Sequence, residues 1–517
     1  MSKRKLVFLL LACLTVLITV LFQIEWSNLG YRIHQHQTAQ QPDVLNGIDA
    51  LSCIRKDVVK TADTYDPKAV DISELATHLP LVMIDTSEEI PGVPYIDSKK
   101  HTSYTVASTG EEYLTANLRI IDQPNTYHTP EDEPDVSSYI KIRVRGNTSR
   151  WFDKQSFAIK TVDAGGDYLD IPVMGMEENH DWALHGPFLD KTLMRNYMAM
   201  NIAGSLMSYA PDVRFCEVIV NGEYRGVYVM METVGRGKGR IDIQKPNKVR
   251  NVTGYIIGLE NDADDPYTAM NNYSKYTSIL RKTSYFDIVY PGETNLTPEL
   301  KDYIERDVSM FEKALYSYDY DSYRYGFPAN VDVDEFVDYF ILMEVFLQRD
   351  TGNLSTYFYK DVNGLFKPCV WDFNNDLDNI AQDTQDDFHI RQFVTVQAPW
   401  FLMMLKEESY IDRIIRRYRE LRLTTLSEDY LNTYIDDTVA YLDTAVDRNY
   451  AVWGYSFDNA NLDWRNKLAP DERNPGSYEA AVQQMKDTLF DRLDWLDENI
   501  EVLRQYGHES AVKKYNH

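Results

Sequence analysis

The hydrophobic period of this sequence changes once along its length, and that change limits the folds open to it. From about residue 79 to 260 apolar side chains recur mostly every second position; from about 297 they recur at helical spacing. Ile140, Ile142 and Val144 alternate with Lys141, Arg143 and Arg145, the pattern of a strand with one apolar face. Segments 79–85, 113–121, 155–161, 214–220 and 224–232 read as further strands, and Asn221-Gly222 is a hairpin turn between the last two. A helix over 190–206 interrupts them, with Asp190 as its cap and Leu193, Tyr197 and Met200 on one side. Later, Asp332-Val-Asp-Glu335 resembles a capping box ahead of Phe336, Tyr339, Phe340, Met343 and Leu347. A hairpin around Asn363-Gly364 follows, and Pro368 marks its second arm as an edge strand. Helices over 398–421, 427–446 and 476–505 complete an α+β pattern. A β-rich region (about 79–235) precedes a mostly helical one (about 236–505), and the join between unlike regions is a natural place for a ligand.

The amino terminus sets a second expectation. Residues 1–5 are basic, and Leu6 to Phe22 carry no charge. The sequence therefore predicts a signal anchor or transmembrane helix over 6–23, with 1–5 inside, a stalk over 24–78 and the domain 79–505 outside. On this reading the protein is single-pass and membrane-bound, with its main domain extracytoplasmic.

Charge narrows the partners. Against 53 basic residues stand 80 acidic ones, a net charge of −27. A field of that sign repels nucleic acid and suits a basic protein partner or divalent cations. Cys13, Cys53, Cys216 and Cys369 are scattered, with no zinc-ligand spacing, and three cysteines beyond the anchor do not make a disulfide framework. Buried thiols are expected. No feature fixes the oligomeric state.

Four segments carry candidate chemistry. In Arg145-Gly-Asn-Thr-Ser149 a strand ends in a small polar loop. Gly146 permits close backbone approach, Ser149 offers a hydroxyl, and the return strand carries Lys160, which can neutralise phosphate oxygens. A solvated turn is the plainer alternative. Arg195 stands on an otherwise apolar helix, either for phosphate or to anchor a carboxylate. Glu232 ends an apolar strand before Gly235, as a hinge for a flat base or as an ordinary strand end. The fourth segment is the most telling. An apolar helix ends at Asp350, a hairpin follows, and Trp371-Asp372-Phe373 closes it. Protein kinases use that order: the loop Asp accepts the hydroxyl proton and the second Asp holds Mg²⁺. A base must reach its nucleophile, whereas Mg²⁺ wants hard oxygens and keeps several waters.

Taken together these residues resemble the CotH family, named for a spore-coat protein kinase. The resemblance rests on Arg145-Gly-Asn-Thr-Ser-Arg150 with Lys154 and Ser156. It rests also on Trp182-x-Leu with Asp190-Lys-Thr-Leu-Met-Arg-Asn196, on Gly226-Val-Tyr-x-x-x-Glu232, and on Trp371-Asp372-Phe373. It covers roughly 79–505. It implies a two-lobed atypical kinase fold, ATP with Mg²⁺ or Mn²⁺, and serine or threonine hydroxyls of a protein substrate. By that implication Asp350 is the catalytic-loop residue and Asp372 the metal ligand. Arg145, Gly146, Ser149 and Lys160 would meet phosphates, and Glu232 the nucleotide hinge. Three positions depart from the pattern. Ser355 stands where kinases place a metal-binding Asn, so Asn353 is the substitute ligand; Asn374 replaces an acid; and helix 190–206 offers Lys160 no glutamate. Two alternatives stay open: a binding or structural surface or coat protein on the same scaffold, and a carbohydrate-active enzyme using Asp350 and Asp372 as paired carboxylates.

Overall fold

The computed structural model describes residues 49–508 except 57–63, 125, 260–267, 272–285, 353, 381–389, 397 and 399. Seven strands close a barrel: β1 (Leu81–Asp85), β2 (Leu114–Ile121), β3 (Val136–Arg145), β4 (Ser156–Val162), β5 (Asp181–His185), β6 (Val213–Val220) and β7 (Glu223–Glu232). Their order around the barrel is β1-β6-β7-β5-β4-β3-β2. Closure comes from β1, which pairs antiparallel with β2 and parallel with β6, Leu81 to Ile84 lying beside Glu217 to Val220. Alternation fills the interior: Val82, Ile84, Ile140, Ile142, Val144, Phe157, Ile159, Trp182 and Val218 form one buried cluster.

A second sheet has the order β9-β8-β10-β11, built from β8 (Tyr255–Leu259), β9 (Phe286–Tyr290), β10 (Thr356–Lys360) and β11 (Lys367–Cys369). Pro368 sits in the edge strand, where a missing N–H leaves no ladder bond unmade. The principal helices are α1 (Arg195–Leu206), α2 (Pro298–Leu315), α3 (Val333–Val345), α4 (Glu408–Arg422), α5 (Glu428–Leu442), α6 (Thr444–Trp453) and α7 (Tyr478–Asn499). Asp332 caps α3 by accepting from the Glu335 N–H. Helix α1 starts later than the sequence suggests. Asp190 still serves it, because its Oδ2 accepts the Arg195 N–H at 2.9 Å.

The expected two-lobed kinase arrangement is corrected here. Strands β6 and β7 are apolar on both faces. Inward residues fill the barrel, while Phe215, Val227, Val229 and Met231 face out into a core that continues through α1, α3, α5 and α7. Tyr197 of α1 stacks on Phe215 at 4.1 Å. Helix α6 binds the barrel wall through a buried pair, Arg448 to Glu217 at 2.7 Å. Asn449 Oδ1 accepts the Val227 N–H at 3.1 Å. Gly226 permits that approach: its φ is +89°, and a Cβ there would meet Asn449 Oδ1 at 2.3 Å. One apolar core thus joins barrel and helices, and no two-lobe division separates them.

The membrane expectation is corrected as well. Among the described residues no helix is long and apolar enough to cross a membrane, so the structure does not support a single-pass membrane protein with an extracytoplasmic domain. The run 6–23 on which that expectation rested lies outside the described residues. Cys53, Cys216 and Cys369 are buried thiols, as their scatter predicts.

Candidate active site

The site is built where one end of the barrel meets the loops after α3 and β11. Gln348 supplies the link. Its Oε1 accepts the Asp350 N–H at 3.0 Å, and its Nε2 donates to the carbonyls of Trp371, at 3.4 Å, and Asp372. One side chain therefore ties the loop of the first aspartate to that of the second, across 22 residues of chain. From the barrel, the Arg145 guanidinium lies over the Trp371 ring at 5.3 Å. Asn196, in the first turn of α1, accepts the Phe373 N–H at 2.8 Å and donates to Asn374 Oδ1 at 2.7 Å. The Leu377 N–H closes back onto the Phe346 carbonyl at 2.9 Å.

Asp372 is half-buried. Burial pushes its carboxyl above the ordinary aspartate value, while the Arg145 charge and hydrogen bonds from Asn374 and Ser355 pull the other way. Arg145 makes no ion pair among the described residues, so it acts on Asp372 across a gap. The two departures from the kinase pattern, Ser355 and Asn374, are thus hydrogen-bond partners of Asp372. The backbone is strained around it: Leu347, Ser355, Asp372, Leu377 and Asp378 have φ of 53°, 50°, 61°, 45° and 65°. Left-handed conformations in such residues cost about 1 kcal/mol or more each, and they persist only where the surroundings over-determine them.

Behind Asp372 lies a buried charge cluster. Arg195 meets Asp190 at 2.5 Å and Asp376 at 3.4 Å. Of the two roles open to Arg195, anchoring carboxylates is the one observed. Asp376 is fully buried and neither of its oxygens accepts a hydrogen bond among the described residues, so burial drives its carboxyl far up despite Arg195. His185 is also buried at this end, 3.4 Å from Ser156 Oγ. Burial lowers its imidazole to about 4; Asp190 opposes that shift and Arg145 adds to it.

The predicted residues separate into two groups. Gln348 ties the main chain at Asp350 to that at Asp372, and Arg145 lies over the neighbouring Trp371 ring. Gly146 and Ser149 occupy the loop beside Arg145, where Gly146 has φ +109° and a Cβ would strike Ser149 Oγ at 1.9 Å. Lys160 and Glu232 lie toward the other end. Lys160 is four residues beyond Ser156 on β4, about 13 Å along the strand, and pairs with Asp181 at 3.3 Å. Glu232 is fully buried, accepting the Asp212 N–H at 2.9 Å and facing Arg240 at 3.6 Å. Asn353 lies outside the described residues. Sequence reasoning missed Gln348, Asn196 and His185. The one available signal was polar amides on otherwise apolar helix ends.

No group of three or more His, Cys, Asp or Glu side chains gathers among the described residues. Mg²⁺ is held by one or two carboxylates plus waters and phosphates, and Asp372 is a carboxylate whose charge burial leaves incompletely compensated.

Comparison with known proteins places the chain. A family model described as "CotH kinase protein" matches residues 142–496. The inner spore coat protein H of Bacillus subtilis (strain 168) is 25% identical over 240 residues, which is 46% of this chain and 58% of that relative, so the match spans less than two thirds of the relative's length. The family match runs from mid-β3 to the last turn of α7 and takes in both aspartate loops, more than half of the sequence; the chain belongs to the CotH kinase protein family.

Proposed function

We propose that this chain is a protein kinase of the CotH type, transferring the γ-phosphoryl group of ATP to a serine or threonine hydroxyl of a protein substrate. The observation that carries the reading is the Gln348 tether, which holds the Asp350 and Asp372 loops together opposite Arg145. In the proposed step the hydroxyl oxygen bonds to the γ-phosphorus as the bond to the β–γ bridging oxygen breaks. The hydroxyl proton passes to the Asp350 carboxylate, and ADP leaves. Arg145 balances charge on the transferred group. Asp372, braced by Ser355 and Asn374, would hold Mg²⁺ (or Mn²⁺), which when bound neutralises phosphate oxygens. Asn353 is proposed as a further ligand.

One observation favours a second reading, a kinase-like coat or surface scaffold with weak catalysis. Lys160, the lysine expected on phosphate, is held by Asp181 well away from Arg145. A single assay separates the two. The chain is incubated with γ-labelled ATP, Mg²⁺ or Mn²⁺ and acceptor protein. Label transfer that vanishes in Asp372→Ala, with circular dichroism unchanged, supports transfer. Equal labelling by both proteins removes Asp372 from the metal role, and nucleotide binding and labelling both absent leave the scaffold.

A further inference from the structure

Just past β7 the charge pattern inverts. Between residues 233 and 250 the chain carries Arg236, Lys238, Arg240, Lys245, Lys248 and Arg250 against the single acid Asp242, although the whole chain is at −27. Four of these, Arg236, Lys238, Lys245 and Lys248, line one cavity of about 780 Å³ with Asn179, Asn247 and Asn295. The cavity is distinct from the aspartate site, whose residues do not line it.

Its cations are available and held in place. Arg236 spends its Nε on the Ile243 carbonyl at 2.7 Å, which fixes the guanidinium and leaves its other donors. Lys245 and Lys248 are exposed and make no ion pair among the described residues. They flank a turn that Asn247 locks: its Oδ1 accepts the Val249 and Arg250 N–H groups at 3.1 and 3.0 Å. Among the described residues Lys238 pairs with an exposed carboxylate, Glu177, at 3.7 Å. Of the carboxylates on the wall, Asp170 is occupied by His180 at 2.6 Å, and Glu178 is the other.

We propose that this cavity binds the phosphoryl groups of a phosphorylated polypeptide segment. Clustered lysines beside a fixed arginine suit phosphate dianions, which offer three strong acceptor oxygens each. The exposed side-chain NH₂ groups of Asn247 and Asn295 can donate to carbonyls of a peptide main chain, while the Asn179 Oδ1 is taken by the His180 and Asp181 N–H groups. The acidic remainder of the molecule opposes RNA or DNA, whose charge extends beyond the cavity, but tolerates a peptide that concentrates its charge inside it. The inference stands apart from phosphoryl transfer, since the cavity holds such a peptide whether or not the chain is catalytic.

The test measures anisotropy of a fluorescein-labelled peptide bearing adjacent phosphoserines on the full chain, beside its unphosphorylated twin. The phosphorylated form is expected to bind and the twin to bind roughly tenfold or more weakly. Lys245→Glu with Lys248→Glu should weaken binding by roughly tenfold or more, whereas Asp372→Ala should leave it unchanged. Equal binding of the twin overturns the proposal, as does indifference to the charge reversal. Loss in Asp372→Ala, or competitive displacement by ATP, would assign the peptide to the aspartate site instead. Displacement by equimolar inorganic phosphate or a short RNA would overturn the peptide specificity.

Discussion

The two ends of the barrel handle charge in opposite ways. At the Lys160 and Glu232 end every predicted functional side chain has a counter-charge: Asp181 for Lys160 and Arg240 for Glu232. At the Arg145 end charges are left incomplete. Arg145 and Asp372 attract across a gap, with no ion pair for Arg145 among the described residues, and the backbone of two loops is strained. The barrel strands are alike at both ends, so the difference comes from the loops that α1, α3 and β11 bring to one of them. A charge with a close counter-charge is spoken for; a charge without one, among strained loops, is where a fold keeps capacity for a ligand.

The largest effect that would break this contrast is at Asp372. Asp372→Ala is expected to lower phosphoryl transfer by on the order of 10²- to 10⁴-fold, read as label incorporated per minute. Its stability should move the other way. Asp372 has its folded-state value raised, so its contribution to stability is present at low pH and is lost as pH rises through that value. Asp372→Asn is therefore expected to match or exceed the wild-type Tm at neutral pH, with the difference narrowing as pH falls toward the ordinary aspartate range. A Tm that drops sharply at neutral pH would place Asp372 among the stabilising charges.

The opposite end should answer with stability alone. Arg240→Met leaves Glu232 buried without its cation, and breaking a buried pair this way costs about 3–5 kcal/mol. Urea unfolding should show a lower midpoint at unchanged slope, with transfer per folded molecule preserved. A smaller effect sharpens the contrast at the loop. Gly146→Ala imposes a left-handed residue and a clash with Ser149, about 1–3 kcal/mol of strain. Weaker ATP binding is expected, and adding Ser149→Ala should recover part of it, because only the clash is relieved.

How much of this was legible depends on the range of each interaction. The alternation of Ile140, Ile142 and Val144 announced β3, and Asn221-Gly222 announced the β6–β7 turn, where both residues have positive φ. Both signals are local. Barrel closure was not legible, because the parallel pairing of Leu81 with Glu217 joins segments 136 residues apart and leaves no trace in either pattern. The two-lobe expectation failed for a related reason: whether the outward face of β7 meets solvent or helices is settled by α6, far along the chain. At the site, the order of the Asp350 and Asp372 loops was legible, but the Gln348 tie between them was not. An amide ending an apolar helix gives no sign of which carbonyls it will reach.

The smallest expected effect is also the most discriminating. Lys160 is the residue a kinase reading would place on phosphate, yet its partner is Asp181, and both side chains are partly open to water, at 22% and 36%. A pair this exposed contributes about 0–1 kcal/mol. Lys160→Met keeps the aliphatic stem near Tyr113 and Tyr168, which the ammonium now approaches at 5.9 and 5.5 Å. If the Arg145 end alone carries the chemistry, Lys160→Met should leave Tm nearly unchanged and alter KM for ATP and kcat by less than about threefold, under 1 kcal/mol. If kcat instead falls as far as in Asp372→Ala, Lys160 leaves Asp181 for the nucleotide during turnover. The two ends would then be parts of a single site some 13 Å long, the length of β4 between Ser156 and Lys160.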